Sequence, residues 1–244
     1  MIEELNILLQ NAGIVLDGEA CRKLSAYHAL LLDWNSRMDL TNVPEEEMAL
    51  RHYGDSLLPL SHADWFPDGA SLIDVGTGAG FPGMALATVR PDLRVTLLDA
   101  QRKRCDFLQA VCQELALRNV AVLHARAEDA ARGELRECFD IAAARAVAPL
   151  NVLCEYLLPF VRVGGHALCW KGPAVREELP EGQRAARILG AETLPLLRLP
   201  IEGREHYLQP FRKTEKTVRR YPRKSGTPSK ESLGKAPEKP QKKE

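Results

Sequence analysis

Apolar residues recur every three or four positions through the first sixty residues: Ile2, Leu5, Leu8 and Leu9, then Leu24, Tyr27, Leu30, Leu31 and Trp34. That period marks the one-sided stripe of amphipathic helices, so residues 1–60 are expected to form an N-terminal helical region. From Ser71 the pattern changes to short apolar runs alternating with longer amphipathic stretches, as in β-α-β units stacked around a mainly parallel sheet. Strands are predicted at 71–75, 94–98, 120–124, 139–144, 166–170, 193–199 and 204–211, with helices at 83–90, 102–117, 149–160 and 176–189. The last two strands are joined only around Glu202 and Gly203, too short a link for a parallel crossover, so they should form an antiparallel hairpin. The expected fold is α/β: a seven-stranded sheet with a C-terminal antiparallel hairpin, spanning residues 61–211 and preceded by N-terminal helices.

The 244 residues allow one substantial α/β domain plus an accessory segment. Apolar residues at 45% and charged residues at 27% exclude wholesale disorder and a disulfide-stapled mini-domain. The six cysteines include no Cys-x-x-Cys pair and no close His partner, which predicts reduced thiols, no metal site and a cytoplasmic protein. The first ten residues carry Glu3 and Glu4 rather than a basic start, and no apolar run approaches the roughly 18 residues that span a bilayer. Neither an export signal nor a membrane anchor is expected.

Charge changes this picture. The formal net charge is zero, from 33 basic and 33 acidic residues, which taken alone would argue against a polyanionic partner. Residues 212–244, however, hold 12 Lys or Arg against 4 Asp or Glu, a net of +8, so the remainder carries −8. Lys, Pro, Ser and Gly accumulate after Phe211, predicting a basic tail over 212–244 that is disordered from about Thr227.

The most informative segment is Leu72-Ile73-Asp74-Val75-Gly76-Thr77-Gly78-Ala79-Gly80-Phe81-Pro82-Gly83. A buried strand runs into glycines whose missing side chains let the backbone turn tightly and approach a ligand at the C-terminal edge of the sheet. Gly78, Gly80 and Gly83 also satisfy G-x-G-x-x-G, so a dinucleotide site competes. Asp99 ends the second strand, 23 residues after Gly76, where a carboxylate accepts ribose hydroxyls of either NAD or S-adenosylmethionine (AdoMet). Asp74 stands within the loop motif. It would repel a pyrophosphate and attract the cationic ammonium and sulfonium of AdoMet, which favours AdoMet. After the third strand, the loop carrying Ala127 and Glu128 would lie beside adenine in an AdoMet-type fold.

The position after the fourth strand, Phe139 to Leu150, lacks the Asn/Asp-Pro-Pro-aromatic motif usual for methylation of exocyclic amines, and no placed cysteine suggests pyrimidine carbon chemistry. One cation, Arg145, stands there without an evident partner. A ring nitrogen such as guanine N7 has a free lone pair and no proton to lose, so its methylation needs alignment more than a general base.

The chain closely resembles the RsmG family (glucose-inhibited division protein B) from about Leu5 to Phe211. The markers are Trp34-Asn35, Leu40-Thr41, Arg51-His52 and Asp55-Ser56-Leu57, then the glycine loop from Asp74 to Gly83. Leu97-Leu98-Asp99, Lys103-Arg104, Phe107-Leu108, Arg145-Ala146 and Lys171-Gly172 follow. The resemblance implies a Rossmann-like AdoMet-dependent methyltransferase acting on guanine N7 in the 530 loop of 16S ribosomal RNA. It implies that Gly76, Phe81, Ala127, Glu128 and Arg145 contact AdoMet, with Asp99 near the ribose and Arg145 nearest the transfer chemistry. Asp74 and Gly78 complete the expected cofactor set. Two positions depart from the family pattern: Asp39 replaces Asn before Leu-Thr, and Ala144 replaces Ser before Arg-Ala.

RNA contacts are expected at Arg51, His52 and Lys171, and at Arg219 and Arg220 of the basic tail, the partner being 16S rRNA or the small ribosomal subunit and the protein a monomer. For Arg51, His52 and Asp55, capping and pairing within their own helix is an equal alternative. A dinucleotide-dependent oxidoreductase and a non-catalytic RNA-binding protein are the other classes left open.

Overall fold

The computed structural model describes residues 1–201 and 203–235. The N-terminal region is helical as expected: α1 (Ile2–Asn11), α2 (Gly18–Asn35) and a run comprising α3 (Glu45–Met48), a π-helical turn (Ala49–Gly54) and α4 (Asp55–Leu57). The α2 helix starts where the Asp17 carboxylate accepts the Ala20 N–H at 2.7 Å, satisfying one of the N–H groups that a helix start leaves free.

The sheet then alternates with helices in the order β1 (Ser71–Val75), α5 (Gly83–Val89), β2 (Arg94–Asp99), α6 (Arg102–Glu114), β3 (Val120–His124), α7 (Ala127–Ala130) and β4 (Phe139–Arg145). It continues through α8 (Leu150–Leu157), β5 (Val161–Lys171), α9 (Val175–Ile188), β6 (Ala191–Thr193), β7 (Leu197–Leu199), β8 (His206–Lys213) and α10 (Thr227–Lys230). The strand order is β3-β2-β1-β4-β5-β8-β6, with β7 also on β8; β1 to β5 are parallel and β8 is antiparallel to β5. The expected hairpin is present as β7 and β8. The stretch expected as one strand over 193–199 is instead two, giving eight strands. The break falls at Leu194-Pro195-Leu196, where Pro195 has no N–H to continue the ladder.

Side chains alternate across the sheet. On β1, Leu72 joins the apolar cluster under α1, α2, α5 and α6, while Ile73 and Val75 join the cluster under α7, α8 and α9. Asp74 therefore projects to the first of these faces.

From the end of β8 the chain departs from the expectation of a basic tail disordered from about Thr227. Lys213 is fully buried with its ammonium on the Leu158 carbonyl (2.7 Å), and Tyr221 is buried in the second cluster. Arg136 donates to the carbonyls of Thr217 (2.6 Å) and Tyr221 (2.7 Å). Arg223 donates to both oxygens of Glu155, which is fully buried. Residues 214–235 thus run back over α7, α8 and α9 as a strap, because those helices carry carboxylates and carbonyls that this basic segment satisfies. The remainder of the expected tail, 236–244, lies outside the described residues.

Candidate active site

Strand order reverses between β1 and β4, and in open parallel sheets a ligand crevice opens at that point, beyond the C-terminal ends of the strands. The loop after β1 is built for it. Gly76, Gly78 and Gly80 have φ of +70°, +59° and +99°, conformations that side-chain-bearing residues rarely adopt. At Gly80 a Cβ would also lie 2.5 Å from the Tyr27 hydroxyl. That hydroxyl donates to the Ala79 carbonyl, and the Tyr27 ring stacks on Phe81 at 5.3 Å, so α2 holds the loop from outside the sheet. On the other side Gly78 donates its N–H to the Asp99 carboxylate at 3.0 Å.

Asp74 does its work differently from the expectation. One carboxylate oxygen accepts the Thr77 hydroxyl (2.6 Å) and the Gly83 N–H (2.8 Å); the other is buried without a partner among the described residues. The residue is fully buried and does not line the crevice, because the alternation of β1 turns it towards α5. It clasps the two ends of the loop. Burial pushes its carboxyl up to about 6, against the hydrogen bonds that favour the ionised form. A carboxyl raised in the folded state contributes most stability below its unfolded value and loses that contribution as pH rises through about 6. Asp74→Asn keeps an acceptor for Thr77 and Gly83 and removes the titration. Thermal melts from acid to neutral pH should therefore show a flatter dependence around pH 6, with a melting temperature near neutrality no lower than the parent's; an unchanged pH dependence would remove Asp74 as its source.

Arg145, at the end of β4, is not uncompensated. Its guanidinium donates to the Asp55 carboxylate (3.2 Å), the Arg51 carbonyl (2.8 Å) and His52 Nδ1 (2.9 Å), and lies over the Phe81 ring at 5.1 Å. The π-helical turn makes this possible. The Asp55 N–H reaches back to the Leu50 carbonyl, one residue further than in an α-helix, and the Arg51 carbonyl is left for Arg145. Asp55 is fixed in turn by His206 (3.0 Å) and, through its carbonyl, by the Trp170 indole N–H (2.8 Å).

An arginine only donates, so His52 Nδ1 accepts and the ring proton sits on Nε2, directed at the Thr41 hydroxyl 2.7 Å away. Burial and the adjacent Arg145 push His52 down to about 3, so the ring is neutral at physiological pH. Thr41 is placed by Asn35, whose amide oxygen accepts the Leu40 and Thr41 N–H groups at 2.9 Å each. Asp39 is exposed beside this turn, and Ala144 is fully buried.

Two cavities border the loop and share Gly76. The first, about 440 Å³, is lined by Thr41, Arg51, His52, Phe81, Arg145 and Lys171 among others. The second, about 360 Å³, lies between the C-terminal ends of β1 to β3, with Ala127, Glu128, Val147 and Tyr156 on its walls. The structure thus brings Gly76, Gly78, Phe81 and Arg145 to one end of the crevice and Ala127 and Glu128 to the other. Asp99 lines neither cavity: it is buried, with the Gly78 and Gln101 N–H groups on its oxygens and Arg104 at 3.6 Å.

The expected RNA-contacting residues divide. Arg51 pairs with Glu47 (2.6 Å) and still reaches the first cavity. Lys171 is engaged by Glu178 (2.7 Å) and the Ala148 carbonyl (3.0 Å), which leaves it a poor free phosphate ligand. Arg219 and Arg220 are exposed on the strap, with Arg220 over the Tyr221 ring at 5.0 Å. Asp55 neither pairs within its own helix nor stands free, but is held by Arg145 and His206; Tyr27 and His206 carry no signal in the sequence, where Tyr27 shows only as one tooth of a helical stripe.

A family model described as rRNA small subunit methyltransferase G matches residues 20–206. The chain belongs to this family. The rRNA small subunit methyltransferase G of Alkaliphilus metalliredigens is 43% identical over 92% of this chain and 95% of its own length. That of Geobacillus thermodenitrificans is 41% identical over 94% and 98%. Among solved structures, MtNAS in complex with MTA and tNA superposes with a TM-score of 0.56 at 16% identity, covering 79% of this chain and 73% of that one. Strand order, loop and family membership together make the fold a Rossmann-like AdoMet-dependent methyltransferase fold, and the protein of this family an AdoMet-dependent methyltransferase.

Proposed function

We propose that the protein transfers the methyl group of AdoMet to N7 of a guanine in the 530 loop of 16S rRNA. The observation that carries the choice of acceptor is that, among the described residues, no free base stands at the Arg145 end of the crevice. His52 is neutral with its Nδ1 occupied by Arg145, and Asp55 is shared between Arg145 and His206. Such a site suits a nucleophile that has a lone pair and no proton to surrender.

The residues present fit the cofactor. Both cavities are lined by Gly76, against which Val147 packs so closely that a Cβ would lie 2.8 Å from its Cγ2, and the unpartnered Asp74 oxygen adds negative potential nearby. Ala127 and Glu128 would take the adenine end, Asp99 the ribose side, and Gly76 and Gly78 the methionine end. When bound, AdoMet supplies a methyl group activated by its sulfonium charge.

Phe81 and His52, stacked at 4.6 Å, give that end of the crevice a flat aromatic wall. Arg145 orients the guanine: it lines the cleft, its Nε has no partner among the described residues, and O6 of the base offers an acceptor. The exposed Arg219 and Arg220 and the cleft-lining Arg51 meet the RNA backbone.

Incubation with methyl-labelled AdoMet and small ribosomal subunits from a strain lacking the gene, followed by nucleoside mass spectrometry, should yield 7-methylguanosine. Its absence with AdoMet-binding protein would overturn this reading. An oxidoreductase reading requires NAD binding in place of AdoMet, which calorimetry with both ligands separates.

A further inference from the structure

The second cavity has a wall that comes from the far end of the chain. Ser229, in α10, borders it together with Glu128 and Tyr156, although it follows Glu128 by a hundred residues and lies beyond the segment matched by the family model. We propose that the strap around Gly226 to Ser229 is part of the cofactor site, that it recognises the amino edge of the adenine, and that Ser229 is a specificity-determining residue there. The proposal rests on the reading of this cavity as the adenine end of the AdoMet site.

The strap is fastened on both sides of Ser229. Upstream, Arg223 donates through its N–H (2.7 Å), Nε (3.0 Å) and Nη2 (2.7 Å) to the fully buried Glu155 on α8. Downstream, the Leu233 carbonyl accepts from Asn151 (3.0 Å), and Pro228 between these anchors is buried. Nearest the cavity, the Gly226 N–H donates to the Glu128 carboxylate at 2.8 Å, from a backbone with φ of +82°. Glu128 is nearly fully buried, so the strap supplies the donor that its carboxylate needs and sets how it faces the cavity.

The chemistry of the wall defines the ligand edge it takes. Val75, Leu98, Val147 and Ala148 give flat apolar surfaces suited to a purine ring. At the strap end, the Ser229 hydroxyl hydrogen is spent on the Gly226 carbonyl (3.0 Å), which leaves its oxygen as an acceptor. The Glu128 carboxylate is a second acceptor. Tyr156 stands against both: burial and the Glu128 charge raise its hydroxyl and a hydrogen bond with Ser229 lowers it, so one lone pair of the Ser229 oxygen faces Tyr156 and the other remains for a ligand. Two acceptors side by side match a purine carrying an exocyclic amine and oppose one carrying a carbonyl at the same position.

The test uses the full-length protein, with S-adenosylhomocysteine and S-inosylhomocysteine as calorimetric ligands. The parent should bind the adenosyl ligand at least roughly tenfold more tightly, the size of one well-placed hydrogen bond. Ser229→Ala should reduce that preference severalfold. Gly226→Pro removes the N–H on Glu128 and forbids the φ of +82°, and should weaken the adenosyl ligand with little change in the inosyl one. In turnover, both variants should raise KM for AdoMet and leave kcat at saturating AdoMet and KM for rRNA unchanged. Parent-like affinity and preference in Ser229→Ala, or equal weakening of both ligands, would overturn the proposal; Ser229→Ala decides alone if Gly226→Pro does not fold. A parent protein that binds neither ligand would instead overturn the cofactor reading of the crevice itself.

Discussion

Arg145→Met should lower kcat by about 100-fold, the scale at which misplacement of a reacting group by an ångström is felt. The guanidinium holds four things at once: the Arg51 carbonyl, Asp55, His52 and the face of Phe81. Its loss frees the N-terminal helical run from the end of β4, and with it the wall against which the proposed guanine substrate would be aligned. The same substitution should also cost stability. The Asp55 side chain is only 4% exposed and would keep His206 as its remaining partner, and removing one member of a buried ion pair costs about 3 kcal/mol. The two effects separate in the double variant Arg145→Met with Asp55→Asn. Its melting temperature should recover most of the loss, because no buried charge is stranded, and its turnover should not. Turnover within a few-fold of the parent in the double variant would show that Arg145 is a structural tie and no part of the chemistry.

Arg223→Ala should lower the melting temperature by about 10 °C. Glu155 is fully buried, and its oxygens accept from the Arg223 backbone N–H and guanidinium. Stranding it costs about 3–5 kcal/mol, which for a chain of this size corresponds to a shift of this order. Glu155→Gln added to Arg223→Ala should restore much of the loss. The drop should persist at high salt, since a buried pair is poorly screened. A detached basic tail makes the opposite forecast, with Arg223→Ala inert in a melt, so one measurement decides between a strap and a solvated appendage.

What the sequence shows well is whatever one segment decides for itself. The strands from β1 to β5 and the glycine loop are legible because burial on both faces and positive φ each demand particular residues in a short window. The split of β6 from β7 is legible only at Pro195, once a continuous ladder along β8 is required. The partnership of Arg145 with Asp55 is not legible, since the two stand 90 positions apart and each resembles an ordinary surface charge. The strap misleads for the same reason. Its Lys, Pro and Gly content is that of a disordered segment, and the carboxylates that order it, Glu155 and Glu128, lie 68 and 98 positions upstream. Asp74 is a subtler case: the sequence places the charge correctly beside the ligand loop, but the alternation of a single strand decides whether the charge touches a ligand or holds the loop that does.

The crevice is bordered at one end by a loop that Tyr27 holds and at the other by Ser229. Chains are made from the N-terminus, and domains generally fold as units while synthesis proceeds. Almost the whole of the sheet can therefore assemble before the segment carrying Ser229 is in place beside the second cavity. The wall that Ser229 adds to the second cavity is thus one that the sheet does not need in order to form.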